Sequence, residues 1–85
     1  MWLIFNSLPV YKQAAELLNQ YAEQFQTDVP RWVRKWAADT NQHQQCVEIL
    51  QRAINLNQPL KDWGQLVELS QKLSDRVRMA NTLSA

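Results

Sequence analysis

Apolar residues recur along this chain at steps of three and four, with short polar stretches between them, a rhythm that predicts helices rather than strands. The first stripe is Tyr11, Ala14, Ala15, Leu18, Tyr21, Ala22 and Phe25. Ser7 stands in the N-cap position with Pro9 in the first turn, which places this helix from about residue 8 to about 26. A second helix follows a cap at Thr27 or Asp28, with Pro30 just inside it, and lasts to about Ala38. Wound at about 100° per residue, Val29, Trp32, Val33, Trp36 and Ala37 share one side, opposite Arg31, Arg34, Lys35 and Ala38. The tryptophans of this helix are expected to anchor it in a core or an interface.

The polar run Asp39 to Gln45 favours a break, because Asp, Thr and Asn compete for backbone hydrogen bonds. A third helix then spans about 42 to 56, with a wide apolar face made by Cys46, Val47, Ile49, Leu50, Ala53, Ile54 and Leu56. It stops at Asn55 to Pro59, where Pro59 disfavours helical geometry before it and Asn tolerates a left-handed cap. The fourth helix is placed at about 60 to 81 on Trp63, Leu66, Val67, Ser70, Leu73, Val77 and Ala80, with residues 82–85 as a frayed tail. Gly64 lies near its start, where it would relieve crowding beside Trp63. Glu48 and Glu68 each precede a cation by four residues, Arg52 and Lys72, in the order that supports a helix.

Eighty-five residues suffice for one core and not for two, so the whole chain reads as a single small all-α bundle of about four helices. The 46% hydrophobic content, with one Gly and three Pro, belongs to a folded helical chain. The apolar start Met1-Trp2-Leu3-Ile4-Phe5 has no basic region before it and is cut short by Asn6 and Pro9, so it reads as neither a signal peptide nor a membrane span. Trp2, Leu3, Ile4 and Phe5 are instead expected to cover the bundle or to dock on a larger protein partner. Cys46 is the only cysteine, so no intrachain disulfide is possible and a cytoplasmic location is expected.

Nine Lys and Arg against eight Asp and Glu leave a formal charge of +1, too little to coat a nucleic acid by bulk charge. The cations are nevertheless grouped. Arg31, Arg34 and Lys35 form one island, and Lys72, Arg76 and Arg78 a second, partly neutralised by Glu68 and Asp75. Each island reads as a solvated helix face, a contact for phosphates or a contact for an acidic protein surface. His43 and Cys46 lie one turn apart, but the further His or Cys ligands of a zinc site are missing and no triad ordering accompanies them. His43 is therefore read as a helix-start or rim residue and Cys46 as core. No catalytic residue, metal, cofactor, membrane contact or small-molecule ligand is expected.

A short all-helical chain with an apolar start and separated cationic helix faces resembles, across most of its length and in architecture rather than motif, the small subunit of type I CRISPR surveillance (Cascade) complexes. The resemblance implies a helical bundle that packs on neighbouring subunits and lines an assembly against displaced or guide-paired nucleic acid. Arg31, Arg34, Lys35, Lys72 and Arg76 would then meet the phosphates of RNA or single-stranded DNA without reading sequence, and Met1 to Phe5 would suit an internal translation start. The alternative from the residues alone is a protein-interaction module, an adaptor, secretion chaperone or inhibitor with an apolar Trp-rich docking surface. Salt separates the two, because phosphate contacts weaken steeply as ionic strength rises and apolar ones do not.

Overall fold

The computed structural model describes residues 9–84, with side chains as far as Asn81, and resolves them into four helices without a strand. These are α1 (Val10–Gln24), α2 (Arg31–Asp39), α3 (His43–Leu56) and α4 (Trp63–Ser84). No helix among the described residues is long and apolar enough to cross a membrane.

The helix ends follow local chemistry. Pro9, not Ser7, holds the N-cap position of α1, and its carbonyl accepts from the Lys12 and Gln13 amides; Ser7 lies outside the described residues. Pro30 likewise caps α2 in place of Thr27 or Asp28, because its extended backbone (ψ 153°) is not yet helical while its carbonyl already accepts from the Val33 and Arg34 amides. Two helices end on non-glycine residues of positive φ, Gln26 (53°) after α1 and Asn57 (52°) after α3. In both, the amide two residues past the last turn folds back, Thr27 to the Ala22 carbonyl and Gln58 to that of Ala53, closing a Schellman motif.

The fourth helix starts at Trp63, later than its apolar pattern indicates, because Asp62 takes the cap: its Oδ1 accepts from the Gln65 amide at 2.8 Å. The Gln65 side chain reaches back to the Lys61 amide at 2.7 Å, a reciprocal arrangement close to a capping box. Gly64 serves this cap and not Trp63, since a Cβ there would stand 3.2 Å from Asp62 Oδ1. No Gly or Pro follows in the sequence, and the helix runs on through the expected frayed tail to Ser84.

Packing sets three helices side by side and lets the fourth overrun them. The Tyr11 and His43 rings meet at one end of α1 and α3, and Gln24 bonds the Ile54 carbonyl and Asn57 at the other, so these two helices run parallel. α2 runs back between them, pinned to α1 by Arg34 and Asn19. α4 returns antiparallel from Trp63, whose ring lies 5.2 Å from that of Tyr21, and its partner is chiefly α3. The core joins Ala14, Leu18 and Tyr21 of α1, Val33 and Ala37 of α2, Cys46, Leu50 and Ala53 of α3, and Leu66 of α4. Ser70, fully buried beside them, returns its hydroxyl to the Leu66 carbonyl at 2.8 Å and so leaves no unpaired donor.

Gln71 meets Gln42 at the start of α3, and the last turns of α4 run past its partner. At 1.5 Å per residue about 20 Å of helix remain after Gln71. Every described side chain from Asp75 to Asn81 is exposed, including Val77 and Ala80, which the helical stripe placed in the core. The radius of gyration, 13.7 Å, exceeds the roughly 12 Å of a compact chain of this length for the same reason.

Candidate interaction surfaces

Two tryptophans of one sequence stripe have different fates. Trp36 is half-buried against the core, whereas Trp32 is 51% exposed and is not a core anchor. The small residues Val33 and Ala37 are the ones that let α2 approach its neighbours, and Trp32 lies about 120° around the helix from their midline, against about 80° for Trp36. Trp63 does anchor its helix, sharing an aromatic cluster with Tyr21 and Phe25.

The α2 cations are exposed, as Trp32 is. Arg34 donates to Asn19 Oδ1 at 2.9 Å, and Lys35 pairs with Asp39 at 3.0 Å. Both contacts are exposed, the ion pair with side chains 79% and 63% accessible, and so worth about 1 kcal/mol at most. Neither would stop these side chains from turning to another anion. The second island is divided: Arg78 pairs with Asp75 at 3.2 Å, while Lys72 and Arg76 turn to a groove. The supporting pairs Glu48–Arg52 and Glu68–Lys72 do not close to ion-pair distance.

That groove is a concavity of about 780 Å³ between the outer faces of α3 and α4. Its floor is aliphatic, formed by Ile49 and Leu56 of α3 and Leu69 and Leu73 of α4. Arg52, Lys72 and Arg76 stand on its rim against the single acid Glu48. A smaller hollow of about 290 Å³ shares Ile49, Arg52, Leu56 and Leu69 with it and extends the apolar surface to Pro59 and Leu60. Arg52 was absent from the residues marked out by sequence; its i+4 relation to Glu48 hid it, since that spacing reads as a self-satisfied pair. Trp2, Leu3, Ile4 and Phe5, the other expected partner surface, lie outside the described residues.

Comparison with protein-family profiles, curated proteins and solved structures finds no match to this chain. The surfaces therefore carry the functional reading by themselves.

Cys46 is fully buried, and burial pushes its thiol up from 9.0 to about 12. His43 opens α3 with Nε2 buried and unpartnered, and no group of three or more metal-capable side chains occurs among the described residues. The thiol yields a pH prediction. Because the folded pKa lies above the unfolded one, the contribution is whole below pH 9 and is lost as pH rises from about 9 toward 12. Urea unfolding across this range is expected to show wild-type stability falling relative to Cys46→Ala, by up to about 1.4 kcal/mol per pH unit. Parallel curves for the two proteins would place the thiol in water.

Proposed function

We propose that this chain is a non-catalytic helical interaction module that seats on a larger protein partner through the α3–α4 face. The observation that carries the reading is the aliphatic groove itself, floored by Ile49, Leu56, Leu69 and Leu73. Leu, Ile and methylene surfaces match a protein's apolar side chains. They offer a nucleobase neither a ring to stack on nor a patterned hydrogen-bond edge. Farther along α4, Val77 and Met79 are 45% and 64% exposed and add apolar surface outside the groove. The test is a photo-crosslinking residue at Leu73 in the native host. One protein adduct is expected, resistant to nuclease and to raised salt, and lost when Leu69→Asp puts a charge on the groove floor of an otherwise folded module. Adducts that disappear on nuclease treatment would refute the reading.

A second reading applies to α2, and the exposure of Trp32 together with Arg31, Arg34 and Lys35 favours it. In a nucleoprotein assembly of the kind the resemblance implies, the groove would hold a neighbouring subunit while α2 faces nucleic acid. Its three cations would meet phosphates and the indole would give a base a stacking surface. Neutralising Arg31, Arg34 and Lys35 together is then expected to weaken binding of RNA or single-stranded DNA regardless of sequence. The salt slope would fall by about two to three units, one per phosphate lost. A triple variant with unchanged affinity and slope would leave only the protein-binding reading.

A further inference from the structure

We propose that the groove between α3 and α4 recognises a short amphipathic helix of a partner protein, with an apolar stripe for its floor and acidic residues one turn apart for its rim. The inference rests on the protein-binding reading above and names the chemistry of the partner.

Length and shape come first. The groove runs from Glu48 to Leu56 along α3 and from Leu69 to Arg76 along α4, about 12 Å and 10 Å of helix axis. That is room for two to three turns of a third helix, whose residues at i, i+3, i+4 and i+7 would meet Ile49, Leu56, Leu69 and Leu73. α4 already follows α3 closely enough to form one wall, so a guest completes a three-helix arrangement at this face without moving either host helix.

Charge then selects the guest. Lys72 and Arg76 are spaced i, i+4 and so lie on the same side of α4, and Arg52 lines the same groove from α3. None of the three takes part in an ion pair among the described residues, although Glu48 and Glu68 are each four residues from one of them. Three uncommitted cations at the edge of an apolar surface favour carboxylates brought there by an apolar anchor, because a partly desolvated pair is screened less by salt than an exposed one. A guest with Asp or Glu at i and i+4 beside its apolar stripe places them opposite Lys72 and Arg76. The chain's own apolar start, Met1 to Leu8, contains no acid and so lacks the complement that the rim selects.

The test uses the full chain and two synthetic capped peptides of about three helical turns. Both carry Leu at i, i+3, i+4 and i+7; one has Glu one turn apart on the flanks and the other Lys at the same positions. Methyl and amide NMR titrations are expected to map the Glu peptide onto Ile49, Leu69 and Leu73, with affinity at least tenfold above that of the Lys peptide. A triple charge reversal, Arg52→Glu with Lys72→Glu and Arg76→Glu, is expected to exchange the two preferences, which a merely structural role of these residues would not do. Equal affinity of both peptides at the groove would overturn the acidic specificity and leave the protein-binding reading intact. Failure of both to shift groove resonances would overturn both. Groove shifts produced instead by phosphatidylglycerol vesicles or single-stranded DNA, or by concentrating the chain alone, would assign the face to a membrane surface, a nucleic acid or a second copy and overturn the proposal.

Discussion

Leu50→Ala is expected to lower the unfolding free energy by about 2 to 5 kcal/mol, the loss of buried methyl groups plus the cavity they leave. Leu50 is fully buried in the middle of α3, the helix against which α1, α2 and α4 all pack, so no neighbour can collapse into the space without leaving another. A domain of this length holds about 4 to 13 kcal/mol in all. The substitution therefore removes a large share of the total. Leu56→Ala, on the same helix but at a side chain 56% exposed, is the matched control and should stay within about 0.5 kcal/mol of wild type. Urea denaturation of both, with unchanged slopes, gives the comparison; equal midpoints would mean that the core is not centred on α3.

Tyr21→Ala should cost about 3 to 5 kcal/mol, and Tyr21→Phe about 1 to 3 kcal/mol of the same quantity. The ring is 4% exposed and holds Phe25 and Trp63 at centroid distances of 4.6 and 5.2 Å. Its hydroxyl accepts the Leu60 amide at 2.7 Å and thereby ties the α3–α4 loop to α1. Phe keeps the aromatic cluster and strands that amide. Hydrogen exchange at Leu60 separates the two contributions, since in the Phe variant this amide should open faster by more than the loss of global stability accounts for. Unaltered exchange at Leu60 would show that water satisfies the amide equally well.

Most of the core was legible because a helix repeats every 3.6 residues and the apolar positions obey that repeat. Ala14, Leu18 and Tyr21, then Cys46, Leu50 and Ala53, are the inward points of stripes visible along the chain. The left-handed stop at Asn57 was legible too, from an Asn followed by a Pro two residues on. The caps were less so: Pro9, Pro30 and Asp62 took them from Ser7, Thr27 or Asp28, and a start near residue 60. A cap depends on the φ and ψ of a single residue, which periodicity does not report.

The sequence by itself determined a four-helix all-α chain and which side of each helix is apolar. Tertiary structure alone decided how those faces are used. Trp32 lies in the apolar stripe, yet only the close approach of α1 and α3 to Val33 and Ala37 turned it outward. Val77 and Ala80 continue the stripe of α4, but α4 has 22 residues and α3 only 14, and both side chains are exposed among the described residues. Lys72 and Arg76 appeared as a basic island resembling a phosphate track, and Arg52 as half of a local pair. It took the antiparallel pairing of α3 with α4 to gather them around one aliphatic groove. Local periodicity sets which side of a helix is apolar; the relative lengths and crossings of helices set which part of that side finds a partner within the chain and which part is left for another molecule.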